Sequence, residues 1–203
     1  MADKTEAPRL ILATNAAEAR KAFVHLGPEF ETEEAEADTT AFRSDDPDVL
    51  AEEYSRRKAR AAAEKHPKAT VVGVHTIGYH RRDILEPPRK KEHAKLKLQE
   101  LSGETHQVVT GVTVIHKGKE ATETVTTNVT FRELTEEEVD AYLASDKQAP
   151  KRTLGYAPTN RRSATFIKSI EGSLHNLISS IPLETVHEML QEAGTITPEG
   201  GQA

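Results

Sequence analysis

Cysteine and tryptophan are both absent from the 203 residues. Without thiols, disulfides and thiolate nucleophiles are excluded, and a zinc ion would have to rely on His, Asp or Glu. Aromatic residues make up only 4%, too few for a platform that stacks nucleobases. No apolar run is long enough to span a bilayer. Met1 to Pro8 is polar and lacks the apolar centre of a secretory leader, so the expected compartment is the cytosol. Positive charge is not in excess either: the formal net charge is -6, which supplies no global field to gather nucleic acid. What is present is 36% hydrophobic and 30% charged residues. That composition and length suit one domain with a substantial core, or two small lobes sharing a cleft.

Strand and helix signals alternate along the chain. Leu10-Ile11-Leu12-Ala13 reads as a short buried strand. Thr14-Asn15 then opens a helix carrying Ala19, Ala22, Phe23 and Leu26, stopped by Gly27-Pro28. Phe30 to Ala37 alternates loosely, as a strand would. Asp46-Pro47 starts a helix that runs to about His66, with a capping Asp and Pro at the first helical position. Val71 to Val74 is a second buried strand, followed by a polar hairpin-like stretch to Pro87-Pro88. Arg89 to Leu101 is a helix with Ala94, Leu98 and Leu101 on one face. His106 to His116 and Thr122 to Phe131 form two long arms around Lys117-Gly118. Thr135 to Glu138 has the capping-box pattern. Lys147 to Arg162 reads as an irregular loop, Ala164 to Ile170 as a strand, and Leu183 to Ala193 as the last helix. Residues 1–8 and 195–203 read as flexible tails on one domain spanning 9–194. The mixture predicts an α/β fold with a mixed sheet.

The order of these segments resembles the Maf family, the septum-formation inhibitor proteins. The resemblance rests on Leu10 to Ala13, Arg57-Lys58-Ala59, Val71-Val72-Gly73 with Thr76, and Leu101-Ser102-Gly103 with His106 and Val109-Thr110-Gly111. It continues through Val129-Thr130-Phe131, Leu134, Tyr142, Ile170 to Ser173, Asn176 and Pro182-Leu183. The resemblance implies a mixed twisted sheet flanked by helices, with two lobes around a central cleft, as in the inosine-triphosphatase-like fold. It further implies a nucleoside triphosphate pyrophosphatase that releases the monophosphate and pyrophosphate and uses Mg²⁺ or Mn²⁺. A homodimer is compatible with it. Thr76 resembles the branch acting on dTTP and UTP.

At the positions where that chemistry should sit, the sequence departs from the family pattern. Members carry Ser-x-Ser-Pro-Arg-Arg after the first strand, where backbone N–H groups and two guanidinium forks hold phosphates. Here the stretch is Thr14-Asn15-Ala16-Ala17-Glu18-Ala19. Both arginines are gone, and Asn15 with Glu18 predicts a capping box instead. Arg20 lies about 100° further round the helix, on another face. The family's Asp-Glu reads Asp38-Thr39, which leaves Asp38 as the metal-side carboxylate and Thr39 at a catalytic carboxylate position. Its Asp-Thr reads His75-Thr76. Its Gly-Lys-Pro reads Glu86-Pro87-Pro88, with Pro87 in the phosphate-lysine place. Its late Lys-Ala-Gly-x-Tyr-x-Ile-Gln-Gly loop is approximated by Lys151 to Asn160.

Lys58 matches the family and shares a helical stripe with Leu50, Tyr54 and Ala61. An inward lysine must either contact an anion in the cleft or snorkel outward. Other clusters read as structural. His75, His80 and Asp83 lack the three or four converging ligands that zinc needs. Arg81-Arg82 and Arg89-Lys90-Lys91 form a solvated basic loop and helix start. Ser102, His106 and Asp83 have no triad spacing. Two function classes follow: an impaired nucleoside triphosphate pyrophosphatase, or a non-catalytic nucleotide- or protein-binding protein of the same fold. Fold-bearing positions match while cleft positions differ together, which favours a scaffold whose chemistry has been removed.

Overall fold

Asp46 sets where the longest helix begins. In the computed structural model, which describes residues 9–14, 16–34, 42–160 and 162–197, its carboxylate accepts from Asp48 N at 2.9 Å and Val49 N at 3.3 Å. Pro47 follows as the first residue of helix α2, Pro47–Lys65. A capped start with a proline that has no N–H to orphan is a strong initiation signal.

Helix α2 lies across two long strands, β3 (Thr70–His80) and β5 (Thr105–His116). The approach is close because glycines stand beneath it. A Cβ on Gly73 would come within 2.7 Å of Ala59 N, and one on Gly111 within 2.8 Å of Glu52 N and closer still to the Ala51 carbonyl. Neither glycine has a positive φ. Both are needed for proximity, and a larger residue would push the helix off the sheet. Ser55 Oγ bridges the contact at 2.9 Å from Thr113 Oγ1.

The sheet is mixed. Strand β1 (Leu10–Ala13) pairs in parallel with both β2 (Glu31–Glu33) and β3. These parallel steps are crossed by α1 (Ala17–Phe23) and α2, as parallel pairing requires. Every other pairing is antiparallel: β3 with β4 (Asp83–Leu85), β3 with β5, β5 with β6 (Lys119–Phe131), and β6 with β7 (Ile167–Glu171). The order is β2-β1-β3-β5-β6-β7, with β4 on β3. The β5–β6 hairpin turns at Lys117 and Gly118, with φ of 48° and 76°, the left-handed pair that a two-residue hairpin turn demands.

Alternation along the strands divides the core. Leu10, Leu12, Val72 and Val74 face α1 and helix α6 (Leu183–Glu192), while Ile11, Ala13 and Val71 face α2. Another cluster joins Leu98 and Leu101 of α3 (Lys91–Leu101) to Tyr142 of α4 (Glu136–Ser145), Phe131 and Phe166. The expected capping box on α4 is present: Thr135 N donates to Glu138 at 3.0 Å, and Glu138 N to Thr135 Oγ1 at 3.3 Å.

Several expectations change. Strand β3 runs on to His80, because its polar second half pairs with both β4 and β5. Strand β7 begins at Ile167, since Ser163–Phe166 is a 3-10 turn that buries Phe166. Of the stretch from Phe30 to Ala37, Glu31–Glu33 is strand, and Ala35 to Ala37 lies outside the described residues. Helix α1 starts from Ala16 with no side-chain cap. Its expected box partner Asn15 lies outside the described residues, and Glu18 pairs with Lys21 at 3.2 Å instead. Helix α5 (Leu174–Ser179) was not expected; Ser173 caps it by accepting from Asn176 N at 3.0 Å. The folded body also extends into the segment expected as a tail, for Thr195 is 1% exposed and Ile196 4%. No helix among the described residues is long and apolar enough to cross a membrane.

Two measurements test this architecture. Gly111→Ala is expected to lower the unfolding free energy in urea by about 3 kcal/mol or more, through forced separation of α2 from the sheet. Gly118→Ala, where nothing lies within 4 Å, is expected to lose only about 1 kcal/mol for its left-handed backbone. Equal losses would show that the helix-sheet approach is not the constraint. The second concerns His106, fully buried, with Nε2 2.8 Å from the Tyr156 hydroxyl and Nδ1 without a partner among the described residues. Burial, then the neighbouring His80, lowers its pKa from 6.5 to about 3. Between those values the unfolded chain binds the proton and the folded chain does not, so stability falls as pH falls. The loss from this residue between about pH 7.5 and about pH 5 is on the order of 2 kcal/mol. The acid-induced loss should shrink by that amount in His106→Gln; an unchanged loss would refute the assignment.

Candidate functional site

Pressed against the sheet, α2 carries Lys58 to the middle of β3. Its Nζ donates to the Val74 carbonyl at 3.1 Å, so this lysine neither snorkels freely nor sits unpaired. Burial pulls its ammonium pKa below the ordinary value. The next residue on β3, His75, packs edge-on against Tyr54 with ring centroids 4.8 Å apart. Tyr54 in turn donates its hydroxyl to the Phe42 carbonyl at 2.7 Å. Burial first, and then the Lys58 charge, lowers the His75 pKa to about 3. His75 is therefore a neutral imidazole throughout the physiological range. No carboxylate among the described residues forms an ion pair with Lys58.

His75 and His80 both lie within β3, five positions apart. That odd spacing turns their side chains to opposite faces of the sheet, so they cannot share an ion. His80 instead sits 3.9 Å from Glu104 on the other face. Among the described residues no three His, Asp or Glu side chains group to hold a metal. The donors in place do not suit a hard divalent cation, which prefers carboxylate oxygens. His75 offers one imidazole, and Lys58 beside it carries the wrong charge. Asp38 and Thr39 lie outside the described residues.

A cleft of about 460 Å³ lies beyond Thr76, whose side chain alternates to the face of β3 opposite His75. It is lined by Glu18 of α1, Thr76 of β3, Val108 of β5, Leu177 of α5 and the segment 151–160, and by neither Lys58 nor His75. It brings together two of the sequence-predicted positions, Glu18 and Thr76. Thr76 Oγ1 is 2.7 Å from Thr110 Oγ1 and donates to Ser180 O at 3.3 Å. Thr14 is buried, and its hydroxyl accepts from Ala16 N at 3.2 Å, bracing the turn into α1. Ala19 is a correction: it is 0% exposed, packed in the cluster with Phe23, and belongs to the core rather than the cleft. Pro87 is half-buried and does not line this cleft.

Three residues that periodicity did not single out organise the cleft wall. Asp146 is buried and accepts from Arg152 at 2.7 Å, Tyr142 at 3.0 Å, Gln148 N at 3.0 Å and Asn160 at 3.3 Å. Burial opposes its charge, yet Arg152 and these donors outweigh it and hold the carboxyl below its ordinary pKa. Lys97 of α3 donates to the carbonyls of Glu86 and of Thr153, the latter at 3.0 Å. It ties the Pro87 segment to the loop. Tyr156, fully buried against His106, anchors the loop's middle. The signal for Lys97 was its place three residues after Ala94, at the edge of the apolar stripe. Asp146 and Tyr156 act over distances that a local pattern does not encode.

A family model described as Maf-like protein matches residues 9–193. Among curated relatives, a dTTP/UTP pyrophosphatase of Bacillus anthracis is 34% identical over 183 residues, covering 90% of this chain and 95% of its own. One from Bacillus cereus (strain ATCC 10987) is 33% identical over 183 residues, covering 90% and 89%. One from Salinibacter ruber is 32% identical over 184 residues, again covering 90% and 89%. With the match running from β1 to the end of α6 and the mixed sheet in place, the chain belongs to the Maf family.

Proposed function

We propose that this chain is the scaffold of a Maf-type nucleoside triphosphate pyrophosphatase, of the dTTP/UTP branch, that no longer carries the hydrolysis at an ordinary rate. The observation that supports this reading is the Lys58–His75 pair: a desolvated ammonium beside an imidazole held neutral, where the family resemblance implies a carboxylate. Attack of water on a phosphate needs a positioned base or a metal-bound water, and positive charge on the oxygens being displaced. A divalent metal, where a family member binds one, supplies that charge. In this chain His75 has lost its appetite for a proton and repels no charge from Lys58. Thr39 has no carboxylate, Pro87 has no charge, and Glu18 brings a negative charge to the cleft. A second reading, a nucleotide-binding protein without turnover, is favoured by the cleft itself, whose walls are tied together by Asp146 and Lys97.

Two measurements follow. Pyrophosphate release from dTTP or UTP with Mg²⁺ or Mn²⁺ is expected near background, since loss of a general base alone removes roughly 10²–10⁴-fold. Single reversions should do little, because groups acting as a unit are non-additive. The combination Glu18→Arg, Thr39→Glu, His75→Asp and Pro87→Lys should raise metal-dependent release well above the parent. Ala19, at the neighbouring family arginine position, is left unchanged because an arginine there would enter the core. Turnover by the unmodified chain at ordinary enzymatic rates would sink the proposal. Independently, the His75 ring resonances should not titrate between about pH 5 and about pH 8; a midpoint near neutrality would contradict its desolvated state.

A further inference from the structure

A second cavity lies further along β5, between the tip of the β5–β6 hairpin and the last turns of α6. It encloses about 490 Å³, within the range of small-molecule sites. Val108 lines the cleft of Thr76, and Val114 lines this one. Six positions on one face of a strand put about 20 Å between them. Register explains what the cavity presents. Val114 pairs with Ala121, and His116 with Lys119. Their side chains share the hairpin face on which Val114 packs in the cluster of Met189. Met189 and Ala193, one helical turn apart, form the facing wall. Glu120 reaches the rim, but its carboxylate is turned to α2, held by Arg56 at 3.0 Å and Arg60 at 2.7 Å.

The buried polar side chain on this lining is His116, 9% exposed. Its Nδ1 lies 2.7 Å from Thr70 Oγ1, which is 3.3 Å from Thr195 Oγ1. When the Thr195 hydroxyl donates to Thr70 and the Thr70 hydroxyl to Nδ1, the ring carries its proton on Nε2. Nε2 has no partner among the described residues. Burial, and then the neighbouring Lys117, lowers the His116 pKa, so the ring is neutral near pH 7. An N–H of this kind among apolar walls suits an acceptor brought by a ligand. Lys117 and Lys119 at the rim have no ion pair among the described residues. They are exposed, so salt screens them, and they add attraction rather than selection. One buried donor, two rim ammoniums and apolar walls suit a single carboxylate on an apolar body. A phosphate or a dicarboxylate would set a second charge against those walls and against Glu192.

We infer that this cavity is a binding site for a small monocarboxylate with an apolar tail. The carboxylate accepts from His116 Nε2, and the tail lies along Val114, Ala121 and Met189. The site is separate from the cleft of Thr76 and does not depend on what that cleft does.

Titration of the full chain with hexanoate, followed by amide NMR, tests it. The amide signals of Val114, Ala121 and Met189 should move together, while those of Thr76, Val108 and Leu177 stay in place. The ring nitrogen shifts of the free protein should show the His116 proton on Nε2. Hexanamide has the same length without the charge, and should bind about tenfold more weakly or worse, the yield of one charge-assisted hydrogen bond. His116→Phe should weaken hexanoate to a similar degree. Ala121→Phe, which fills the cavity from its half-buried wall, should abolish the shifts and keeps the test open if His116→Phe does not fold. No shifts at millimolar hexanoate, or shifts centred on the cleft of Thr76, overturn the inference. So do hexanamide binding as tightly as hexanoate, a free-protein proton on Nδ1, and an Ala121→Phe chain that unfolds as the parent does in urea and still binds.

Discussion

Two missing side chains govern this fold. Gly73 and Gly111 sit on adjacent strands beneath α2, and a single methyl group at either would meet helix backbone. Because backbone cannot rotate away as a side chain can, the approach is all or nothing. The approach places Ser55 on Thr113, Ala59 and Ala62 on the strand below, and Lys58 against the Val74 carbonyl. Once Lys58 is there, the residue after Val74 has a cation for a neighbour. What occupies position 75 then decides whether the pair is a salt bridge or a cation beside a neutral ring. The backbone constraint and the chemical question meet within three consecutive residues.

The same logic bears on the proposal that the scaffold persists with altered cleft residues. A partly buried carboxylate-lysine pair is near break-even for stability, since desolvating two ions opposes their attraction. An imidazole in place of the carboxylate avoids one of those desolvations and adds an edge-on contact with Tyr54. Glu18 lies in the first turn of α1, where the helix dipole favours it, and pairs with Lys21. Each change is tolerable locally. On that proposal their joint effect is lost charge complementarity to a triphosphate, which depends on all of them together.

Much of the architecture was legible because it is written in local patterns. Asp46-Pro47, the Thr135 capping box, Lys117-Gly118 and the alternation of β5 each carry their signal within a few residues. The second half of β3 was not legible, because Thr76, Tyr79 and His80 are polar and become strand only by pairing with β5, with β4 or, at Tyr79, with both. Helix α5 is six residues long, too short to show a period; its one local mark is the capping Ser173. Lys58 and Thr76 stood out through spacing and resemblance, and the structure places Lys58 on the Val74 carbonyl and Thr76 on the cleft lining. Ala19 was misplaced because neighbours on a helix diverge by about 100°, so one of two adjacent family positions can face the core while the other faces the cleft.

On the proposed reading, the neutral state of His75 bears on how a carboxylate at position 75 would behave. A carboxylate restored at position 75 would arrive beside Lys58 and be stabilised as the anion by that charge, while burial pushed the other way. The two effects also act on Lys58, whose ammonium, held among the described residues by the Val74 carbonyl, would gain a charged partner. Position 75 and position 58 therefore titrate as a unit, and the state of one cannot be set without the other. At the wall, Arg152 gives Nη1 to Asp146, and drawing the whole guanidinium away to a phosphate would cost that buried carboxylate its ion pair and leave it on Tyr142, Gln148 N and Asn160. Of the lining cations among the described residues, Arg152 is tied into the wall, and a triphosphate in this cleft would lean on Lys151 against the charge of Glu18.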